Sequence, residues 1–270
     1  MAGLIETKSA REIESMRASC QMAAETLRLV GELLRPGLTT EEINTFVHED
    51  TVRRGGWPSP LNYHGFPKSV CTSVNEVVCH GIPGAQTLRL GDIINVDVTT
   101  LYQGFHGDTS ATFFVGEVSP EARHVTEVSR QALELGISVV RDGARIGDIG
   151  EIIEDYARKE GCTVVRDFVG HGIGRKFHTD PQVPHYKPEK GKPNPRMKAG
   201  MTFTIEPMIN LGTHEVVVDA KDKWTVRTKD RRLSAQFEHT VLVTRAGCEV
   251  LTRRSGPLKN SENMDLLAVR

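Results

Sequence analysis

The sequence predicts a single α+β domain built from two related halves, and three observations predict it. Capped helical segments come in two pairs, each followed by strand-like runs. No glycine-rich phosphate loop follows a strand and no doubly wound β-α-β rhythm appears, which argues against a nucleotide or dinucleotide fold. An internal repeat also runs along the chain. Arg35-x-Gly37-x5-Ile43 recurs as Arg141-x-Gly143-x5-Ile149, His80-Gly81-Ile82 as His171-Gly172-Ile173, and the Gly91 to Asp97 spacing as Gly200 to Glu206. The offsets are 106, 91 and 109 residues, in one chain order. They divide one domain, residues 1–270, into halves of about 9–115 and 119–245 related by a pseudo-two-fold axis, with a site at the seam.

The elements follow in order. Ser9 with Glu12 makes a capping box, after which Ile13, Met16, Cys20, Ala23, Leu27 and Val30 recur at helical spacing until Arg35-Pro36-Gly37 ends the pattern. Thr39 with Glu42 opens a second helix through Ile43, Phe46 and Val47. Glycines and prolines between Gly55 and Pro67 read as loop. Residues 92–99 and 108–115 form a hairpin; a four-residue turn, Leu101 to Gly104, would set Asp97 directly opposite Asp108. Ser119-Pro120 starts a third helix, a fourth runs from about Ile146 to Lys159, and Met201–Met208 and Phe237–Val243 are strands.

Composition narrows the function classes. Across 270 residues, 34 Lys and Arg face 35 Asp and Glu for a net charge of −1, which gives no reason to expect DNA or an anionic membrane as partner. A hydrophobic content of 38% excludes general disorder, and no run reaches the length of a spanning helix. Residues 1–12 contain no apolar signal segment, and the five cysteines are odd in number without a CxxC. A cytoplasmic location is the expectation.

Chemistry is carried by polar residues set in apolar or glycine-rich surroundings. Asp97 lies in Ile-Ile-Asn-Val-Asp-Val, Asp108 starts the second hairpin arm, and Glu206 ends Thr-Phe-Thr-Ile-Glu-Pro. Glu238 interrupts Phe-Glu-His-Thr-Val, and His171 stands in Val-Gly-His-Gly-Ile-Gly. A buried carboxylate costs several kcal/mol unless protonated, paired or bound to metal. Four carboxylates and one imidazole suit two adjacent divalent ions and overfill a single catalytic zinc. The bland reading, strand acids at edges or paired with Lys and Arg, competes for each residue singly and weakens for all five together. His239 should face the other side of its strand, while His80 and His178 are candidates for the site. Ser69, Ser73 and Ser110 lack a nucleophile elbow, and Cys71 and Cys79 have no identifiable base partner. The basic run Lys187–Lys198, with Lys190, Lys192 and Arg196, reads as an exposed loop and a candidate contact for RNA or a ribosome surface.

Five blocks carry a resemblance. They are Asn75-Glu-Val-Val-Cys-His-Gly-Ile-Pro83, Gly104-Phe-His-Gly-Asp-Thr109, Gly170-His-Gly-Ile-Gly174, Thr202-Phe-Thr-Ile-Glu-Pro-Met208 and Ser234-Ala-Gln-Phe-Glu-His-Thr240. Together, and in this order, they resemble type I methionine aminopeptidases of the bacterial kind, over about Ile5 to Thr252. The resemblance implies a pita-bread α+β fold: pseudo-two-fold, a curved antiparallel sheet covered by helices, the active site at the seam. It implies a metal-dependent hydrolase that removes the initiator methionine from peptides and nascent chains when the second residue is small. Asp97, Asp108, His171, Glu206 and Glu238 would hold two divalent ions (cobalt, manganese, iron or zinc), with Asp108 and Glu238 bridging. His80, His178 and Glu206 would act on the peptide. Tyr63, Phe66, Cys71, His80, Phe177, His178 and Trp224 would surround the methionine side chain. Asn75, Val77 and Ser234 would form a structural sodium or potassium site. A monomer is implied. Pro60 stands where some members carry cysteine and Phe66 where tyrosine is common, and the basic loop looks longer than usual. Two alternatives stay open: a proline-directed peptidase of the same fold, and a non-catalytic relative that binds RNA or protein.

Overall fold

The computed structural model describes residues 5–189, 191–256 and 258–260, so Lys190 and the first four residues lie outside it. Helix α1 (Ala10–Leu33) begins at the expected box: Ser9 N–H donates to the Glu12 carboxylate at 3.0 Å and Glu12 N–H to the Ser9 hydroxyl at 3.4 Å. Helix α2 (Thr40–Arg53) is boxed in the same way by Thr39 and Glu42. There follow β1 (Trp57–Pro58), a 3-10 turn (Tyr63–Gly65), β2 (Cys71–Val74), β3 (Val77–Cys79), β4 (Ile93–Tyr102) and β5 (Phe105–Phe114). The second half opens with α3 (Pro120–Ser138), whose Ser119 hydroxyl accepts from Ala122 N–H at 3.1 Å, and α4 (Ile146–Lys159). Then come β6 (Thr163–Val164), β7 (Gly170–Gly172), β8 (Thr179–Val183), β9 (Thr202–Ile205) and β10 (Met208–Asn210). The last five strands are β11 (Val216–Val218), β12 (Val226–Thr228), β13 (Ser234–Gln236), β14 (Glu238–Val243) and β15 (Cys248–Val250).

The main sheet is antiparallel in the order β1-β4-β5-β14-β9-β7-β8, with β2 also on β4 and β15 also on β14. Helix α1 packs on β4 and β5 with α2 beside it, and α3 packs on the strands of the second half with α4 beside it. The apolar stripes of these helices and one face of the sheet form a continuous core that includes Leu27, Val30, Ile43, Ile94, Phe113, Val125, Ile149, Ile153, Phe203 and Val241. Burial of such side chains, at about 25 cal/mol per Å², is the main force holding the halves together.

Matching backbone bonds appear in the two halves. Gly37 N–H donates to Leu88 O at 2.8 Å and Gly143 N–H to Met197 O at 3.0 Å. Leu88 N–H donates to Leu38 O, and Met197 N–H to Ala144 O, both at 2.8 Å. Gly91 and Gly200 share a φ of 92°, a left-handed conformation that a side chain would strain.

Two expectations about the strands are corrected. The hairpin closes with a two-residue turn rather than four: Tyr102 pairs with Phe105, and Gln103 and Gly104 have φ of 50° and 78°. Two consecutive left-handed residues match the natural twist of a hairpin, so the shorter turn wins. The register therefore moves, pairing Asp97 with Ser110 and Asp108 with Thr99. The segment Met201–Met208 is not one strand either. Pro207 has no N–H to continue a ladder, and the chain leaves β9 at Glu206 to enter β10 in a separate three-stranded sheet. A third, small sheet has the order β11-β12-β3.

Candidate metal centre and active site

The corrected register explains how the acids meet. Asp97 on β4 pairs with Ser110 on β5, which pairs with Glu238 on β14, so two carboxylates flank a small residue on one face of three adjacent strands. Asp108, two residues from Ser110, projects from that same face. His239, the next residue after Glu238, points to the opposite face, where its Nδ1 lies 2.8 Å from the Thr252 hydroxyl. It takes no part in the site, as its strand position predicted. From the other half, β7 brings His171 and the end of β9 brings Glu206. His171 Nε2 lies 3.8 Å from Asp108 Oδ2 and 3.7 Å from Glu206 Oε1.

Hydrogen bonds aim these groups. Asp108 Oδ1 accepts from the Thr99 hydroxyl at 2.7 Å, and Glu206 Oε1 accepts from the Thr204 hydroxyl at 2.7 Å. Gln236 Nε2 donates to Glu206 Oε2 at 3.3 Å. His171 Nδ1 sits 3.1 Å from the Gly172 carbonyl, which assigns its proton to Nδ1 and leaves Nε2 as a bare acceptor facing the carboxylates. Two further atoms, Asp97 Oδ1 and Glu238 Oε1, are buried with no hydrogen-bond partner among the described residues. Asp108, His171 and Glu238 each offer a ligand atom, and these three atoms lie within 4.8 Å of one another. Unpartnered buried oxygens beside an unprotonated imidazole nitrogen are what divalent cations require, so the residues present fit the ions.

The electrostatics agree. Burial pushes the Glu206 carboxyl up to about 8 and Asp97 up to about 6, and burial followed by the Asp97 charge raises Asp108 well above the carboxylate range. Glu238 is raised well above it too, first by burial and then by the charges of Asp108, Glu206 and Asp97. Carboxyls raised by burial, and for Asp108, Glu206 and Glu238 by neighbouring charge as well, are acids whose protons positive charge would release.

The centre lies in a cavity of about 300 Å³. Its walls include all five of the metal-site candidates and all seven residues expected around a methionine side chain: Tyr63, Phe66, Cys71, His80, Phe177, His178 and Trp224. Pro60 lines the cavity as well. Phe66 meets Trp224 edge to face at 5.2 Å, and His80 meets Phe168 in the same way at 5.3 Å. His80 holds a φ of 55° at the end of β3, an uncommon conformation outside glycine that turns its ring into the cavity. Burial lowers His80 to about 4. The His178 ring centroid is 4.0 Å from that of His171.

The sequence reading missed several neighbours. Gln236, Thr204 and Thr99 orient carboxylates, and only the spacing of two residues between Gln236 and Glu238 hinted at a shared face. His185 is fully buried, with Nε2 accepting from Glu206 N–H at 3.0 Å. His106 stacks on Phe177 although it lay inside a block quoted for Asp108. Apart from the cavity, Ser234 N–H donates to the Asn75 carbonyl at 3.0 Å, β3 with Val77 packs on β13, and the Ser234 hydroxyl is buried without a partner among the described residues.

Residues 14–245 match the sequence pattern of metallopeptidase family M24. The chain belongs to this family. Within it, the chain groups with the methionine aminopeptidases. It is 53% identical to methionine aminopeptidase A of Synechocystis over 93% of this chain and 99% of that protein. It is 48% identical to methionine aminopeptidase 1 of Saccharomyces cerevisiae, of which it spans 62%. The crystal structure of methionine aminopeptidase from Rickettsia prowazekii superposes with a TM-score of 0.90 at 45% identity, covering 93% of this chain and all of that one. The M24 member thus has the pita-bread fold. Prolidase from Pyrococcus furiosus, 20% identical with a TM-score of 0.71, shares the fold alone.

Proposed function

We propose that this M24 metallopeptidase removes an N-terminal methionine from peptides and new chains, with two divalent ions held by Asp97, Asp108, His171, Glu206 and Glu238. One observation carries the reading: four acids, two of them with buried unpartnered oxygens, line one cavity together with apolar, aromatic and sulfur-bearing side chains. When bound, the ions would supply an acidified water and opposing positive charge at neutral pH. The remaining work belongs to the chain. Glu206 takes the proton of the attacking water and returns it to the leaving amide nitrogen. His178, at the cavity mouth, donates to the carbonyl oxygen as charge grows there, and His80 faces the amide. Tyr63, Phe66, Cys71, Phe177 and Trp224 enclose an unbranched thioether, which apolar and polarizable walls favour.

Further parts of the reading are finer. A small second residue is preferred. Cobalt, manganese, iron and zinc are candidate ions, and Asn75, Val77 and Ser234 would hold sodium or potassium. The chain acts as a monomer in the cytoplasm, as one domain whose halves are repeats. The Lys187–Lys198 loop would touch the ribosome surface; within it, Lys187 already pairs with Glu151 at 2.8 Å and Arg196 donates to the Gly143 carbonyl.

Hydrolysis of Met-Ala-Ser, Met-Leu-Ser and Ala-Pro-Ser in cobalt or manganese buffer, against a chelated control, tests the activity. Cleavage of Met-Ala-Ser first and loss on chelation are expected. Cleavage of Ala-Pro-Ser but not Met-Ala-Ser would transfer the chain to proline-directed chemistry. Silence with every ion would favour a binding protein. Co-sedimentation with ribosomes should weaken when the loop lysines are neutralised; equal sedimentation removes that partner.

A further inference from the structure

Tyr63, which the sequence placed only in the wall around the methionine side chain, reaches into the chemistry through its hydroxyl. The phenol oxygen lies 2.8 Å from His178 Nδ1. The two rings also stack, with centroids 5.1 Å apart and planes 29° from parallel. Phe177 packs against both, 4.9 Å from Tyr63 and 4.1 Å from His178. Behind Phe177 lies His106, nearly parallel at 10° and 5.5 Å, with its own Nδ1 2.8 Å from the Ser59 hydroxyl. The turn that presents Tyr63 holds two non-glycine residues in the left-handed region, Asn62 at φ of 66° and His64 at 47°.

We propose that Tyr63 is the positioning residue that fixes which ring nitrogen of His178 carries the proton, and so makes His178 a hydrogen-bond donor toward the substrate carbonyl. A neutral imidazole has one donor and one acceptor nitrogen, and a phenol has a single proton. If the phenol donates to Nδ1, the imidazole proton must sit on Nε2. In the reverse arrangement Nε2 is a bare lone pair, which repels a carbonyl oxygen. Among the described residues, His178 is the one acceptor within hydrogen-bond distance of the phenol, so donation to Nδ1 gives its proton a protein partner. The same ring walls the side-chain slot, so a methionine packed there presses on the residue that orients the donor. Recognition of the side chain and readiness of the donor become one event. This inference rests on the reading that His178 acts on the carbonyl.

The test uses Tyr63→Phe, which keeps the ring and removes the hydroxyl. With Met-Ala-Ser as substrate, kcat should fall about tenfold while KM stays within about twofold, as expected when one hydrogen bond important to turnover is lost. Histidine labelled with nitrogen-15 reports the tautomer directly, in zinc-loaded and in metal-free protein, with His178 assigned by its disappearance in His178→Gln. Wild-type His178 should show the Nε2–H form, and Tyr63→Phe should show a mixture of forms. In a His178→Ala background, Tyr63→Phe should cause no further loss. A wild-type Nδ1–H form overturns the proposal, and that measurement needs no variant to fold. So does a raised KM with unchanged kcat, which would leave Tyr63 as pocket wall only. If His178→Ala itself keeps full kcat, the fault lies in the role given to His178, and the proposal falls with it.

Discussion

Asp97→Asn should make the metal-free protein more stable, although it removes a proposed ligand. Without a bound cation, burial raises the Asp97 carboxyl from the ordinary aspartate value to about 6, and its Oδ1 is buried with no partner among the described residues. A raised acid holds its proton in the folded state where the unfolded chain has already lost it. Stability from this group is therefore present in acid and is lost as the pH climbs from about 4 to about 6. The shift of roughly two units corresponds to about 3 kcal/mol at pH 8. An amide carries no charge and can donate to Asp108, so the variant escapes that loss. Urea unfolding of chelated wild type and variant at pH 8 and pH 4 measures it. A gain of about 3 kcal/mol at pH 8 that vanishes at pH 4 is expected. Adding manganese should reverse the order, because the wild type gains more binding energy. Equal stability at both pH values, or a variant weaker at pH 8, would refute the claim that burial holds the Asp97 carboxyl above its ordinary value.

Other consequences can be checked separately. Binding of manganese at pH 7 should release protons, because burial raises Glu206 to about 8 in its absence and burial with neighbouring charge raises Asp108 and Glu238. Calorimetry in buffers of different ionisation enthalpy would detect this, and buffer-independent heats would contradict it. Thr204→Val deletes the hydroxyl that donates to Glu206 Oε1 at 2.7 Å and accepts from His171 N–H at 3.0 Å. The expected loss in kcat/KM is at least about tenfold, with ion content measured alongside. Gly150→Ala would place its Cβ 2.2 Å from the Tyr186 carbonyl and 2.6 Å from that of Pro184, forcing α4 off the loop beneath it. A cost of about 2 kcal/mol or more should appear in urea unfolding, whereas Gly84→Ala, with nothing within 4 Å, should be near neutral.

What was legible in the sequence follows a physical divide. Capping boxes at Ser9 and Thr39 are local chemistry, and they fixed two helix starts to the residue. Charge inside apolar strands is a conflict visible without coordinates, which is why Asp97, Asp108 and Glu238 could be singled out and now stand on one sheet face. The hairpin register was misjudged because it depends on whether Gln103 tolerates a left-handed conformation, and the residue type leaves both turn lengths open. His185 and Thr204 gave no local sign. Each looks like an ordinary polar residue until the fold sets it against the Glu206 backbone or side chain. The Tyr63 hydroxyl was hidden for the same reason: its partner lies 115 positions away.

The order in which the acids occur along the chain has a bearing on synthesis. Asp97 and Asp108 are made early and Glu238 near the end, while β14, which carries Glu238, also supplies the ladder to β5 that joins the two parts of the sheet. A growing polypeptide therefore carries Asp97 and Asp108 before the strand that joins the two parts of the sheet has been made. On the proposed ligand set, cation capture would wait for β14, and a product that stops short of Glu238 would lack one of its ligands.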